Sequence, residues 1–597
     1  MGKSTQTLGL LACILMIAAC THREPSITIE HNDKSTTVHI NGKCSFLMLP
    51  IQEDSKEARV RATDAAADVP KMDIRLAMDE VDYYVPFELT GNRGTHSIII
   101  EGLDQNALCW KCLKTADKIE FKNSEEFRPQ YHHTPKTGWM NDPNGMVYKD
   151  GRYHLYYQYN PYGSKWGNMH WAHASSTDLI HWEHHGIAIS RDTLGHIYSG
   201  SAVVDKLNTS GFGKDALVAI YTSHNDKAEV QSIAYSTDNG MTFTKYEGNP
   251  VLVAEDGIRD FRDPKVFWFE PDEKWVMVLS AREEVRFFSS RNLKDWEYTG
   301  AFGKGFGAHS GCFECPDLVQ LPVDGTDSGK KWMLIVNINP GGPFGGSATQ
   351  YFTGDFDGNT FVCDTAPEVT KWMDYGKDHY ATVTFSNTGE RVIALAWMSN
   401  WQYAKIVPTK QFRSSNSIPR DISLFTCPSG TYAASSPSEE VTGLRKSAIS
   451  FNAMTLEQDA AETIEVGAQP FELSFTINPV NANSNTLTLS NSKGEKLYII
   501  FDYDAGLVSV DRNSSGLMTD NPGFSTITSA PLTLCNNADG YQVRVFVDRS
   551  SVELFVDNGR IAMTSLVFPE EYYSEISLSS LGGAASVQEL NIYELGL

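Results

Sequence analysis

The chain has 597 residues, a formal net charge of −24, and 41% hydrophobic and 11% aromatic residues. That length exceeds what one hydrophobic core supports and predicts about two to four domains, and the composition excludes a disordered chain. The acidic balance argues against nucleic acid and against electrostatic adhesion to anionic membranes, and it is compatible with a neutral substrate.

At the N-terminus, Lys3 and the apolar run 8–19 read as an export signal, too short for a bilayer anchor. It ends Ile17-Ala18-Ala19-Cys20, which resembles a bacterial lipobox. Residues 1–20 are therefore predicted to be a lipoprotein signal peptide, with Cys20 the lipidated first residue of an exported, membrane-anchored protein facing the periplasm. Cleavage near Ala19 as an ordinary signal peptide is the competing reading. Residues 24–125 show short alternating strands at 28–29, 37–40, 74–78 and 97–100, separated by Asn41-Gly42 and Gly91-Asn92. This predicts a β-sandwich-like accessory domain without a reactive constellation. The pairs Cys109-Trp110-Lys111-Cys112 and Cys312-Phe313-Glu314-Cys315 invite a four-thiolate zinc site. They stand roughly two hundred residues apart, and a dication beside Glu314 would spoil a proton donor, so no metal is expected.

Between 129 and 435 a weak repeat appears: Ser176-Thr177-Asp178 before Trp182, Ser236-Thr237-Asp238 before Phe243, Ser290-Arg291-Asn292 before Trp296, and Asp355-Phe356-Asp357 before Phe361. Strand-rich sequence repeating every 53 to 65 positions predicts the four-stranded blades of a five-bladed propeller. Pro428-Ser429-Gly430 and Ser435-Ser436-Pro437-Ser438 read as a linker. Alternation resumes at 471–477, 497–503, 507–511, 541–548 and 552–556, with a hairpin turn at Asp557-Asn558-Gly559. Residues 440–597 are predicted to form a closing β-sandwich, so the whole is read as an all-β protein.

Three carboxylates stand in stiff settings: Asp142 in Trp139-Met140-Asn141-Asp142-Pro143-Asn144-Gly145, Asp263 in Phe261-Arg262-Asp263-Pro264-Lys265, and Glu314 in Cys312-Phe313-Glu314-Cys315-Pro316-Asp317-Leu318. Pro and Gly restrict backbone angles, so these segments read as loops that place an acid group. Fixed carboxyls beside tryptophan are what cleavage of a glycosidic bond requires. Singly, each segment also fits an ordinary turn; together they point to chemistry. His132-His133 and His184-His185 lack metal-ligand spacing and read as surface or loop residues.

These segments, with Tyr198-Ser199-Gly200-Ser201 and Trp397-Met398-Ser399-Asn400-Trp401 in the same order, resemble the motifs of glycoside hydrolase family 32, which contains invertases, inulinases and levanases. Ser417-Ile418-Pro419-Arg420 and Val547-Asp548-Arg549-Ser550-Ser551-Val552-Glu553 resemble the end of its propeller and its C-terminal sandwich. The resemblance runs from about Pro129 to the C-terminus. It implies a retaining fructan hydrolase that uses no cofactor, with Asp142 as nucleophile, Glu314 as acid and base, and Asp263 stabilising the oxocarbenium-like transition state. It implies substrate contacts from Trp139, Asn141, Gln158, Trp166, Tyr198, Ser199, Arg262 and Trp397. Trp401 competes with Trp397 for its role, and Arg262 also fits a salt bridge between blades. Asp378-His379-Tyr380-Ala381 departs from the family's aromatic after the Asp. The implied partner is a fructan or fructo-oligosaccharide, levan favoured over inulin, attacked from a chain end in a funnel whose mouth the glycine-rich stretches 303–311 and 341–346 would line. An endo-levanase, a fructosyltransferase and an inactive fructan-binding lipoprotein are the alternatives.

Overall fold

The computed structural model describes residues 25–62, 70–89, 94–119, 125–255, 257–535 and 538–597. The export segment with Cys20 and the Gly91-Asn92 turn lie outside them. Among the described residues the one α-helix is the single turn Cys109–Cys112, whose two thiols are free.

The N-terminal domain is two facing sheets. Period-two alternation sends Val38 and Ile40 of Ser35–Asn41, and Ile98 and Ile100 of Thr95–Glu101, into one core with Leu47, Leu49 and Val85 of the opposite sheet. The strand expected over 74–78 instead spans Met72–Ile74. Phe46–Ile51 and Tyr83–Glu88 were not expected, and each carries a proline. Pro50 lies past the end of the neighbouring strand Lys114–Ala116, and Pro86 is on an edge strand, where a missing N–H is tolerated.

Four sheets of 5, 5, 4 and 9 strands follow, the last holding two blades joined by a parallel pairing of Val323 with Leu424. Their innermost strands are Gly138–Lys149, His196–Asp205, Phe261–Phe269, Cys312–Val323 and Tyr380–Thr384. Each contacts the next, and the last returns to the first, which closes a five-bladed propeller. The short strand Phe412–Arg413 pairs parallel to Gly138 and Trp139 and ties the late chain into the first blade. The sequence repeat marks the turn between the third and fourth strands of the first four blades. Ser176 Oγ donates to Asp178 Oδ1 (2.9 Å), which accepts the Ile180 and His181 N–H groups (3.0 and 2.9 Å). Ser236 and Asp238 repeat this bond at 2.7 Å, and Asp357 accepts the N–H of Thr360 at 2.7 Å.

The expected linker is corrected. Gly430–Pro437 is a strand paired along its length with Arg420–Cys427, the turn falling at Pro428-Ser429. Small polar residues serve an outer strand as well as a linker, and here the backbone groups are used by the ladder. A 7-stranded and a 6-stranded sheet then form the C-terminal sandwich. Asp557, Asn558 and Gly559 take φ of 47°, 53° and 80° in the loop that joins Val556 to its strand partner Ile561, conformations that Asp, Asn and Gly accept most readily.

The histidine expectation is also corrected. His132 and His133 are buried, and His184 and His185 lie within strand Glu183–Ile189. Asp548 of the sandwich accepts the Gln130 N–H (2.8 Å) and bonds His132 Nδ1 (2.7 Å), while Glu553 lies 3.8 Å from its other nitrogen. Burial opposes charge on His132, but these two carboxylates outweigh it and raise its pKa to about 9. It is thus an imidazolium sealed between propeller and sandwich.

Candidate active site

All five innermost strands are interrupted at the same height. The register slips by one residue opposite Gln158 at Asn141-Asp142, opposite Thr222 at Tyr198-Ser199, opposite Leu279 at Asp263-Pro264, opposite Val336 at Cys315-Pro316, and opposite Ala396 at Ala381-Thr382. A β-bulge bends its strand and re-aims its side chains, so one device repeated around the ring turns polar groups toward the same end of the axis. Proline in a central strand is confined to such bulges. The Asp-Pro and Glu-Cys-Pro segments are therefore bulged strands and not the loops expected from their turn-forming residues. Asp263, Cys315 and Ala381 take φ of 67°, 43° and 54°, backbone strain that accumulates at functional sites.

The acids are held by fixed partners. Asp142 accepts from Ser199 Oγ (2.6 Å) and Asn141 Nδ2 (3.1 Å), and Trp139 Nε1 in turn donates to Asn141 Oδ1 (2.8 Å). Glu314 accepts from Arg262 Nη2 (2.9 Å) and from the Tyr380 hydroxyl. Arg262 also reaches Asp260 (2.7 Å) and Glu229 (3.3 Å). Arg262 thus bridges blades, through Glu229 of the second and Glu314 of the fourth. Asp263 accepts the Cys315 N–H (3.0 Å). Beneath them, Lys265 Nζ pairs with the buried Asp317 (2.8 Å) and fixes the third blade to the fourth.

Burial raises the pKa of Asp142, opposed by its bonds from Ser199 and Asn141. Burial also pushes Asp263 up to about 7, with Arg262 pulling it down and Glu314 and Asp142 pushing further up. The folded state therefore keeps a proton that an unfolded Asp, with a reference pKa of ~3.9, has already shed. The stability this group supplies is full below about pH 4 and is lost as pH rises to about 7. Asp263→Asn is accordingly expected to raise the thermal midpoint by a few °C at pH 8, with the gain vanishing near pH 4. Calorimetry at the two pH values checks this; an equal gain at both would contradict it.

A cavity of about 400 Å³ opens above the acids, walled by Asn141, Gln158, Trp166, Tyr198, Ser199, Arg262 and Trp401. Tyr198 stacks on His224 at 4.3 Å. The expectation for Trp139 and Trp397 is corrected. Both are fully buried and stand behind the wall, with ring centroids 5.8 and 4.8 Å from Trp401, and it is Trp401 that faces the cavity. Neither glycine-rich stretch supplies a wall residue; Gly346 packs on Asn400, and Asn339 lines the cavity. Sequence reasoning missed His224, Glu229, Asp260 and Asn339. Asp260 alone carried a signal, two residues before Arg262. It also missed Tyr380, whose segment had been singled out only as a departure.

Residues 132–436 match the family model described as glycosyl hydrolases family 32 N-terminal domain, and 440–594 match its C-terminal counterpart. Residues 32–131 match a domain of unknown function (DUF4980). A levanase of Bacillus subtilis is 45% identical over 482 residues, 79% of this chain and 71% of that protein. The crystal structure of an exo-inulinase from Aspergillus awamori superposes with a TM-score of 0.74 at 35% identity, covering 80% of this chain and 99% of that one. A β-fructofuranosidase from Schwanniomyces occidentalis, complexed with fructosyl-erythritol, gives 0.72 at 34% identity, covering 79% and 98%.

Proposed function

The chain belongs to glycosyl hydrolase family 32 and is a glycoside hydrolase of the β-fructofuranosidase type; from that premise we propose that it releases single fructose units from the ends of fructan chains, levan before inulin, by a retaining mechanism. The observation that carries the reading is the convergence of Asp142, Asp263 and Glu314 on one cavity. Asp142 attacks the anomeric carbon of the terminal fructosyl unit and forms a covalent intermediate. Glu314 gives its proton to the leaving oxygen and then takes one from the incoming water. Arg262 and Tyr380 orient Glu314, and Asp263 accepts hydrogen bonds from sugar hydroxyls as positive charge develops. Gln158 presents its carbonyl to the cavity because its amide is already spent on Asn144 (2.8 Å) and the Ile197 carbonyl (2.9 Å). Trp166 and Trp401 give apolar faces for sugar C–H groups.

Cavity size supports end-wise attack, since about 400 Å³ is near the small end of ligand pockets, ~300–1,000 Å³, and suits a chain terminus. Levan is favoured because the levanase relative shares 45% identity. On levan, inulin and sucrose, free fructose is expected from the first time points, fastest from levan. An early ladder of fructo-oligosaccharides would overturn the end-wise reading. We also propose that Cys20 carries a lipid anchor on the periplasmic side, the support being the Ile17-Ala18-Ala19-Cys20 sequence. Cys20→Ala should then leave the membrane fraction or remain unprocessed, and wild-type protein found wholly unlipidated would remove the anchor.

A further inference from the structure

We propose that the N-terminal domain is a positioning element for the substrate cavity, clamping the 161–169 loop that carries Trp166; this rests on the reading of that cavity as the fructan site. The loop joins Arg152–Asn160 to His170–Ser176 in the first blade, and much of its polar bonding is met from outside the propeller. The Asp73 N–H donates to Asn168 Oδ1 (3.0 Å), and Asn168 Nδ2 returns a bond to the Asp73 carbonyl (2.7 Å). The Ser164 N–H donates to the Tyr83 hydroxyl (3.0 Å), and the Ser164 hydroxyl meets the Glu53 carboxylate. Tyr83 donates to the same carboxylate (3.2 Å), and Lys165 Nζ donates to the Glu53 carbonyl (2.8 Å). Ser164 and Asn168 are buried, so these groups have no water to replace a lost partner.

The same carboxylate reaches the second aromatic wall. Glu53 lies 3.5 Å from Arg413, whose guanidinium donates to the carbonyls of Lys405 (2.6 Å) and Val407 (3.3 Å). Those carbonyls belong to the segment that begins beside Trp401. Trp166 itself is half-buried and stacks on His196 at 6.0 Å, so its angle to the cavity follows the loop backbone. Glu53 is thus a positioning residue: it touches no substrate, yet it joins the supports of Trp166 and Trp401. This gives the accessory domain a function within the hydrolase, setting affinity for the sugar chain.

The test is Glu53→Ala in the full chain. Amide hydrogen exchange over 161–169 should accelerate about tenfold or more, while the strand Ala216–Asn225 keeps its rate. KM for levan should rise several-fold with kcat within about twofold, and Glu53→Ala combined with Trp166→Ala should lose clearly less than the sum of the two single losses, the remainder coming through Trp401. Lys165→Ala, a milder change at the rim, should accelerate the same amides by a smaller factor and serves if Glu53→Ala does not fold. Unchanged exchange over 161–169, or fully additive losses in the double variant, would overturn the clamp. If the wild-type protein released no fructose, exchange alone would decide the clamp, and the failure would belong to the reading of the cavity.

Discussion

Glu314→Gln and Asp142→Ala are each expected to lower fructan turnover by at least ~10²–10⁴-fold with the thermal midpoint little changed. Each removes one half of a two-step displacement, and neither removes what shapes the strand. The bulge at Asn141-Asp142 is set by its register against Gln158, and Asp142 is not among the residues with positive φ. Glutamine at 314 keeps an oxygen for Arg262. The two variants should separate on an aryl fructoside with an acidic phenol as leaving group. That group departs without a proton, so the first step survives Glu314→Gln and a burst of phenol appears, whereas Asp142→Ala stays inactive on both substrates. Steady-state rates on levan and stopped-flow on the aryl fructoside make the comparison. Near-normal turnover of levan by either variant would refute the assignment.

What the sequence disclosed of this site follows from which residues tolerate a bulge. Pro143, Pro264 and Pro316 stand at or beside three of the five bulges, so three acids could be found by their prolines, although the same prolines made bulged strands look like loops. The bulges at Tyr198-Ser199 and Ala381-Thr382 contain no proline; Tyr198 and Ser199 were found through their motif, whereas the Tyr380 segment departs from its motif and Tyr380 escaped notice as a partner of Glu314. Trp397 and Trp401 are four positions apart, and only the fold decides which one faces the cavity. His132 and Asp548 are 416 positions apart in the chain. No local pattern distinguishes a histidine that meets a carboxylate across a domain interface from one on the surface. The repeat, by contrast, was legible because a Ser or Asp that caps a tight turn recurs wherever the turn does.

The larger stability effect is expected at that interface. Arg420 of the fifth blade donates to Asp374 (2.8 Å), and to Glu553 (3.1 Å) and Thr564 (2.7 Å) of the sandwich, with all three charged side chains at most 1% exposed. Arg420→Ala leaves buried Asp374 without its cation and Glu553 with only His132 at 3.8 Å, a change that costs ~3–5 kcal/mol and should lower the apparent melting temperature by about 10 °C. Arg391→Ala is the control, because that side chain is 41% exposed and pairs with Asp421 and Glu440 at the surface, where an ion pair is worth ~0–1 kcal/mol. The damage should also reach the active site. Asp374 and Asp378 hold the chain just before Tyr380 against the sandwich, through Thr564 at 2.7 Å and Arg512 at 2.5 Å, and Tyr380 donates to Glu314. Arg420→Ala should therefore lose fructan hydrolysis on mild warming before the propeller unfolds globally. Equal small shifts for the two arginine variants would show that the buried network carries no special weight. A large shift with activity intact up to the melt would confine Arg420 to holding the domains together.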